Sequence, residues 1–187
     1  MPSLRSAIRF VVLRHASERE RLSNTARWGA LALEGTVIVE HGLPGPPTED
    51  AILATPGAVL LFPDRLAFPE RHAGEPRTEE PRPAAPPAPA ARPPLVIVPD
   101  GTWTQARRMV QRLAPLRTMP RLALPSPPPA VRLRRPPGGG MSTLEAMAGA
   151  LALFGEPEAA ARLHALHAAG VERILRLKGT WAPGCEA

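Results

Sequence analysis

The chain has 187 residues, of which 44% are hydrophobic, and its formal net charge at pH 7 is +6. This length supports one sizeable hydrophobic core and predicts a single domain over residues 1–187. No run approaches the roughly 18 apolar residues that a membrane span needs, and the amino terminus has no signal-peptide core, so a soluble cytoplasmic protein is expected. The single cysteine, Cys185, excludes an intramolecular disulfide and a zinc site built on several thiolates.

Three strands are predicted in the first third of the chain, where short β-branched and aromatic runs are bounded by turn residues. They cover residues 8–13, 36–39 and 58–62. A helix is predicted between the first two strands at 26–33, because residues 23–25 (Ser-Asn-Thr) offer N-caps before an apolar run. The alternation of strand and helix favours an α/β fold with a mostly parallel sheet flanked by helices.

Residues 72–94 are rich in Pro, Ala, Arg and Glu and contain eight prolines. Such a stretch lacks backbone donors and apolar side chains for packing, which predicts a flexible surface insertion. It separates the 58–62 strand from another predicted strand at 95–98. Both strands are apolar enough to be neighbours in one sheet, so we expect the insertion to be a loop within the domain and not a domain boundary.

The strand at 95–98 runs directly into the segment 99–103 (PDGTW), at the start of an arginine-rich helix. In open α/β sheets, ligands bind where strands end and helices begin. The segments 102–105 (TWTQ) and 142–145 (STLE) each fit a capping box at a helix start. Both follow glycine-containing segments, and exposed N–H groups at such helix starts bind anionic groups. Two such starts facing one crevice would hold a small anionic or zwitterionic ligand.

The basic excess of the chain is confined to residues 101–144, which contain eight arginines and no acidic residue. Elsewhere, 15 basic residues face 17 acidic ones. A concentrated arginine surface is typical of proteins that bind a phosphate backbone, so nucleic acid is the first partner to consider. The alternative is a merely solvated basic face. A compositional bias explains the use of Arg over Lys, but it does not explain the missing carboxylates.

Helices are predicted to close the chain at 142–154 and at 156–167, with a continuation to 178. Apolar residues at helical spacing predict that the last of these helices packs on the sheet. His164 and His167 lie three residues apart, which is close to a metal-ligand spacing. Because no third ligand is evident nearby, they are interpreted as surface or core histidines.

Four blocks of sequence carry a resemblance to a known family. They are His15 to Leu33 with the run SNTAR at 23–27, Leu60 to Pro63, Asp100 to Trp103, and Arg132 to Arg135 followed by Ser142 to Ala146. In this order, and on the secondary structure that they should occupy, they resemble the DTW-domain family of tRNA-uridine aminocarboxypropyltransferases. The resemblance covers most of the chain apart from the Pro-rich insertion.

The resemblance implies a fold related to the SPOUT methyltransferases, with a carboxy-terminal knot whose loops bind S-adenosylmethionine. It implies transfer of the 3-amino-3-carboxypropyl group of S-adenosylmethionine to N3 of a tRNA uridine, with release of methylthioadenosine. The alternatives are an RNA methyltransferase of the same broad fold and a noncatalytic RNA-binding module. Many relatives carry a cysteine-rich, zinc-binding segment ahead of the first strand, and this sequence has none before Ile8, so no metal is expected. We expect a monomer.

The resemblance implies catalytic roles for Asp100, Thr102 and Trp103. Asp100 would help to remove the proton of the uridine N3, because a uracil imide is a weak acid that needs a base. Trp103 would pack against the uracil base or the cofactor adenine. The competing interpretations are a helix cap or an Asp-Gly turn for Asp100, and a core anchor for Trp103.

The resemblance also implies two sets of binding residues. Candidate cofactor contacts come from the loop after the 58–62 strand and from the two helix starts: Leu61, Phe62, Pro63, Asp100, Gly101, Ser142, Thr143 and Glu145. Candidate tRNA contacts are polar or cationic: Asn24, Arg27, Arg107, Arg108, Arg132, Arg134 and Arg135. The planar guanidinium groups of the last three arginines are well suited to phosphate oxygens.

Overall fold

The computed structural model describes residues 3–43, 50–63, 92–125, 131–133 and 140–180. The strands in this part of the chain are β1 (Phe10–His15), β2 (Val37–His41), β3 (Val59–Leu61), β4 (Val96–Asp100) and β5 (Arg121–Leu122). The helices are α1 (Thr25–Ala32), α2 (Asp50–Leu53), α3 (Trp103–Arg112), α4 (Ala114–Thr118), α5 (Thr143–Leu153) and α6 (Pro157–Leu177). A short 3-10 helix, Ala16–Glu18, follows β1 directly.

All five strands are parallel and form one sheet in the order β2-β1-β4-β3-β5. The predicted α/β fold with a parallel sheet and flanking helices is thereby confirmed. The strands on either side of the Pro-rich insertion, β3 and β4, are neighbours as predicted. Residues 72–91 of that insertion lie outside the described residues.

The first, second and fourth strands extend two residues beyond their predicted carboxyl ends, and the second, predicted at 36–39, is observed at Val37–His41. The predicted strand at 8–13 is observed at Phe10–His15, and the one at 95–98 at Val96–Asp100. The reason is that parallel pairing continues past the last apolar side chain, since Arg14 is still in register with Asp100. Polar groups are therefore placed on the sheet itself at its carboxyl edge.

Alternate side chains of each strand enter two separate cores, one on each face of the sheet. On β1, Phe10 and Val12 pack with residues of α1, α5 and α6, whereas Val11 and Leu13 pack with residues of α2, α3 and α4. The sheet is covered by helices on both faces, as the continuous apolar runs of its strands require. The result is three layers, in which α1 and α3 leave neighbouring strands toward opposite faces.

The prediction that the last helix packs on the sheet is wrong. The predicted helix at 156–167 and its continuation form the single helix α6, which packs mainly on α5 and α1. The more apolar α5 contacts β4, and its fully buried side chains include Leu144, Met147 and Leu151. An amphipathic helix such as α6 needs only one apolar stripe buried, and α5 and α1 bury it. No helix among the described residues is long and apolar enough to cross a membrane.

Candidate active site

A cavity of about 390 Å³ lies at the carboxyl ends of β1 and β4, where the sheet changes its winding direction. Because α1 and α3 leave these neighbouring strands toward opposite faces, a crevice opens between them, and such crevices bind ligands in parallel α/β proteins. The volume lies within the range of small-molecule sites. The lining residues are Glu18, Ser23, Asn24, Thr25, Asp100, Gly101, Thr102, Trp103, Thr104, Arg132, Leu133, Met141, Ser142, Thr143 and His167.

Three helix amino termini converge on this cavity. Asn24 caps α1, and its Oδ1 accepts a hydrogen bond from the backbone N–H three residues on. Thr102 and Gln105 form a capping box on α3, and Ser142 and Glu145 form another on α5, so both predicted boxes are confirmed. The positive ends of three helix dipoles therefore face one site, which favours an anionic ligand group. The sequence analysis predicted that the starts of α3 and α5 could share one ligand site, but it did not include the start of α1.

Asp100 is a buried carboxylate at the base of the cavity, and it joins two of the helix starts. One oxygen accepts a hydrogen bond from Asn24 Nδ2 at 2.7 Å, and the other from Thr143 Oγ1 at 2.5 Å. The interpretation of Asp100 as a helix cap is wrong, because the cap of α3 is Thr102. Burial raises the pKa of the Asp100 carboxyl, although the hydrogen bonds from Thr143 and Asn24 act in the opposite direction.

A row of three charged residues crosses the carboxyl edge of the sheet beside Asp100. Arg14 on β1 is in register with Glu40 on β2 and with Asp100 on β4. The Arg14 side chain is buried and forms an ion pair with Glu40. The hydrogen bond to Glu40 raises the pKa of Arg14, so the residue is a fixed cation behind the cavity. The sequence prediction did not include Arg14 or Glu40. In the sequence, the only feature that indicates them is that each is a charged residue directly after a predicted strand.

Glu18 and His15 are two further polar residues of this edge that were not among the predicted site residues. Glu18 is buried, lines the cavity, and its Oε1 lies 3.4 Å from Arg21 Nε. Its negative charge contributes to the raised pKa of Asp100. His15 Nδ1 lies 2.9 Å from Ser17 Oγ, which accepts a hydrogen bond from Gln105 Nε2 of the α3 capping box. The hydrogen bond between Gln105 and Ser17 thus connects the 3-10 helix after β1 with the start of α3.

Glu145 is a second buried carboxylate, beside the cavity at the start of α5. It accepts hydrogen bonds from the Ser142 N–H at 2.8 Å and from Arg132 Nε at 3.0 Å, and His167 Nε2 lies 3.9 Å away. Burial acts to raise the pKa of Glu145, but the hydrogen bonds from Ser142, the proximity of His167 and the bond from Arg132 outweigh it, and the pKa is lowered. The structure therefore places Arg132 in the cavity wall, paired with Glu145.

The two histidines of α6 differ in environment. His164 is exposed, whereas His167 is buried and lines the cavity. Burial lowers the pKa of His167, while Glu145 acts in the opposite direction, so a neutral imidazole is favoured at neutral pH. Within the described ranges, no group of three His, Cys, Asp or Glu side chains could hold a metal ion.

Trp103 forms part of the cavity wall and is held from two sides. The Phe62 ring lies with its centroid 6.0 Å from that of Trp103, at an interplanar angle of 51°. On another side the backbone at Gly140 comes so close that an added Cβ would lie 2.5 Å from Trp103 Cζ2. The predicted cofactor loop at 61–63 does not line the cavity. It is connected to the cavity through the contact of Phe62 with Trp103.

The predicted tRNA contacts occupy different environments. Asn24 is buried at the cavity, whereas Arg27 is exposed and donates a hydrogen bond to a backbone carbonyl at 2.5 Å. Arg107 is half-buried and Arg108 is exposed on α3. Arg134 and Arg135 lie outside the described residues.

The fold and the cavity define an α/β protein with a parallel sheet. Its candidate ligand site lies at the topological switch point of the sheet, and a buried carboxylate lies at the bottom of that site. The model of the DTW domain matches residues 1–175, so the chain belongs to the DTW-domain family, as its sequence blocks indicated. This is the family of the tRNA aminocarboxypropyltransferases, and membership implies a tRNA-modifying function. Among curated proteins and among solved structures, no significant match to the chain was found.

Proposed function

We propose that this protein transfers the 3-amino-3-carboxypropyl group of S-adenosylmethionine to N3 of a uridine in tRNA, with release of methylthioadenosine. The observation that carries the proposal is the convergence of three helix amino termini and the buried Asp100 on one cavity. Asn24, Asp100, Thr102 and Thr143 all come from the blocks that resemble the DTW family, and they meet there although up to 119 positions separate them in the chain.

The residues around the cavity fit S-adenosylmethionine. When bound, this molecule supplies an electrophilic carbon attached to a sulfonium, which leaves as a thioether. The Gly101 and Thr143 regions would hold it through backbone N–H groups of the α3 and α5 starts. Trp103 would offer a ring face to the adenine or to the uracil base. Arg132 lines the cavity, and its Nη2, which has no hydrogen-bond partner within the described residues, would donate to an anionic group of the ligand.

Asp100 is the proposed proton acceptor for the uridine N3–H. Asn24 and Thr143 each bond one carboxylate oxygen and fix the plane of the carboxylate, while further lone pairs remain for the substrate. A raised pKa makes Asp100 a stronger base than an exposed aspartate. The N3 proton passes to Asp100 as N3 bonds to carbon, and the electron pair of the broken carbon–sulfur bond leaves on sulfur. Thr102 keeps this edge in place as the cap of α3.

Arginines that do not line the cavity are the proposed contacts to tRNA phosphates. Arg27 follows the α1 cap, and Arg108 lies on α3, whose amino terminus lines the cavity. Arg107, Arg134 and Arg135 belong to the same proposal. Such contacts would orient the tRNA without reading its sequence, because phosphates carry no base information.

The proposal extends to the wider fold and to the setting of the reaction. We propose a fold related to the SPOUT methyltransferases with a carboxy-terminal knot, and the all-parallel sheet supports the α/β part of this proposal. We also propose that residues 1–187 act as one domain and as a monomer. A tRNA substrate agrees with a cytoplasmic site of action.

Mass spectrometry of unmodified tRNA incubated with the protein and S-adenosylmethionine tests the reaction. We expect aminocarboxypropylated uridine together with methylthioadenosine, and neither product with Asp100→Asn at an unchanged melting temperature. Methylated tRNA with S-adenosylhomocysteine would instead make the protein a methyltransferase. Binding of tRNA without any product would make it a noncatalytic module.

A further inference from the structure

Arg132 is fixed in the cavity wall in a way that differs from a surface arginine. Its Nε lies 3.0 and 3.2 Å from the two oxygens of Glu145, and only 16% of its side chain is exposed. Its Nη2 is buried and makes no hydrogen bond to any described residue. Burying a guanidinium N–H without an acceptor is unfavourable. Nη2 therefore has no acceptor among the described residues, and a ligand in the cavity that Arg132 lines can supply one.

The surroundings of Arg132 favour a compact anion. The start of α5 lies at the same wall, with Ser142 and Thr143 in the cavity lining and the positive end of the helix dipole beside them. The other titratable group at this wall, His167, is held neutral by burial and adds no repulsion for a cation or an anion. Among the described residues, Arg132 bonds Glu145 through Nε and its Nη2 has no partner, so Nη2 can donate to a second carboxylate.

The cavity also contains the opposite charge. Glu18 and Asp100 line it near the ends of β1 and β4, whereas Arg132 comes from the segment that precedes α5. Such a site has one cationic and one acidic region and suits a zwitterion, with a carboxylate at the former and an ammonium at the latter. A tRNA phosphate carries no cationic group for the acidic residues, and only 16% of the Arg132 side chain is exposed.

We propose that Arg132, oriented by Glu145, binds the carboxylate of the aminocarboxypropyl group of S-adenosylmethionine, and that it does not contact tRNA phosphate. This inference rests on the proposed function, since it assumes that S-adenosylmethionine occupies the cavity. It gives Arg132 a specificity role, because methylthioadenosine has the same nucleoside but no carboxylate. The carboxylate contact would also hold the transferred group while the carbon–sulfur bond breaks.

Calorimetric titration of the full chain with S-adenosylmethionine and, separately, with methylthioadenosine tests the role of Arg132 without turnover. A charge-assisted hydrogen bond contributes about 1.5–3 kcal/mol, so Arg132→Met is expected to weaken S-adenosylmethionine binding by roughly 10- to 100-fold. Methylthioadenosine binding should change by less than about twofold, since it makes no such bond. Arg132→Lys should recover part of the loss, because it keeps the charge but not the fork. Arg162→Met, at an exposed position of α6, is the matched control.

Each other outcome has a definite meaning. An equal loss of affinity for both ligands would show that Arg132 only shapes the cavity. Unchanged S-adenosylmethionine binding would show that Arg132 does not contact this ligand. Either result overturns the inference. A selective loss of tRNA binding with a smaller salt dependence would return Arg132 to the phosphate contacts. If the wild type binds neither small molecule, the proposed function fails as well. If Arg132→Met does not fold, the double variant R132M/E145M is titrated in its place, because it leaves neither charge of the buried pair without its partner.

Discussion

Asp100 and Glu145 are two buried carboxylates at one cavity whose pKa values are shifted in opposite directions. Only 5% of Asp100 and 3% of Glu145 is exposed, so burial acts in the same sense on both. The difference comes from their donors. Asp100 receives hydrogen bonds from a neutral amide and a neutral hydroxyl, whereas Glu145 receives them from Ser142 and from the cationic Arg132. Burial dominates at the first carboxylate and the donors dominate at the second.

This difference assigns the two carboxylates different tasks. Pairs of titratable groups whose surroundings separate their pKa values mark the acid–base residues of a site. Asp100, with its raised pKa, is suited to accept a proton. Glu145 stays ionised and is suited to anchor a cation. Substitution of each carboxylate, and then of the residues around it, tests this division.

Asp100→Asn is expected to have the largest effect on activity. The substitution keeps the shape and an acceptor for Asn24 but removes the proposed base, and general base catalysis contributes roughly 100- to 10,000-fold. Transfer should fall by at least about 100-fold in a tRNA assay. The free energy of unfolding at pH 7 should be unchanged or higher, because a carboxyl with a raised pKa destabilises the folded state once pH exceeds that pKa. Full activity in a folded variant would show that Asp100 is not the base.

Glu145→Ala is expected to have the largest effect on stability. It leaves the buried Arg132 without its partner, and breaking a buried ion pair costs about 3–5 kcal/mol. Urea unfolding at pH 7 measures the loss. The double variant R132M/E145M should lose clearly less than the sum of the two single variants, because neither charge is then left unpaired. Additive losses would show that the two residues do not stabilise each other.

The Glu145 contribution should also depend on pH. Its pKa is lowered on folding from an ordinary value of 4.5, so the stabilisation is complete above that value and disappears as pH falls through the folded pKa. The difference in unfolding free energy between wild type and Glu145→Gln should therefore be larger at pH 7 than near pH 3. Gln keeps the size of the side chain and an acceptor for Ser142. A difference that does not change with pH would contradict an ionised Glu145.

Local sequence signals predicted much of the frame around these carboxylates. The capping boxes at Thr102 and Ser142 were predictable because each depends on residues three positions apart. The parallel sheet followed from the alternation of apolar strands and helices. The position of Asp100 at a strand end followed from the abrupt end of the apolar run before it.

The partners of the charged residues could not be predicted from local signals. Arg14 meets Asp100 through the register of two strands that are 86 positions apart, and register is a property of the assembled sheet. Arg132 was predicted at the tRNA surface because a basic run is typical of phosphate binders, yet the fold pairs it with Glu145 across a glycine-containing segment. The location of α6 on α5 and α1 was missed because periodicity identifies an apolar stripe but not the element that covers it.

Gly140→Ala should disturb the Trp103 side of the cavity and leave the two carboxylates intact. An added Cβ would lie 2.5 Å from Trp103 Cζ2 and 2.9 Å from its Nε1, so the indole must move. Such overpacking costs about 1–3 kcal/mol in unfolding free energy, and the moved ring should weaken ligand binding. Trp103→Phe in the same chain should restore part of the stability, because the smaller ring lacks the clashing atoms. No loss in Gly140→Ala would contradict this close approach.

The two capping residues give the smallest expected effects and separate the two carboxylates once more. Thr102→Ala and Ser142→Ala each remove a cap and should each cost about 1 kcal/mol at pH 7. Of the two capping hydroxyls, that of Ser142 contributes to the lowered pKa of a carboxyl, Glu145, whereas the partner of Thr102 in the α3 box is the neutral Gln105. The pKa of Glu145 in Ser142→Ala should therefore move toward its ordinary value. The loss of unfolding free energy in this variant should become smaller below pH 4.5, whereas the loss in Thr102→Ala should not change with pH. Urea unfolding at several pH values compares them, and parallel curves would mean that the hydroxyl of Ser142 does not act on the Glu145 charge.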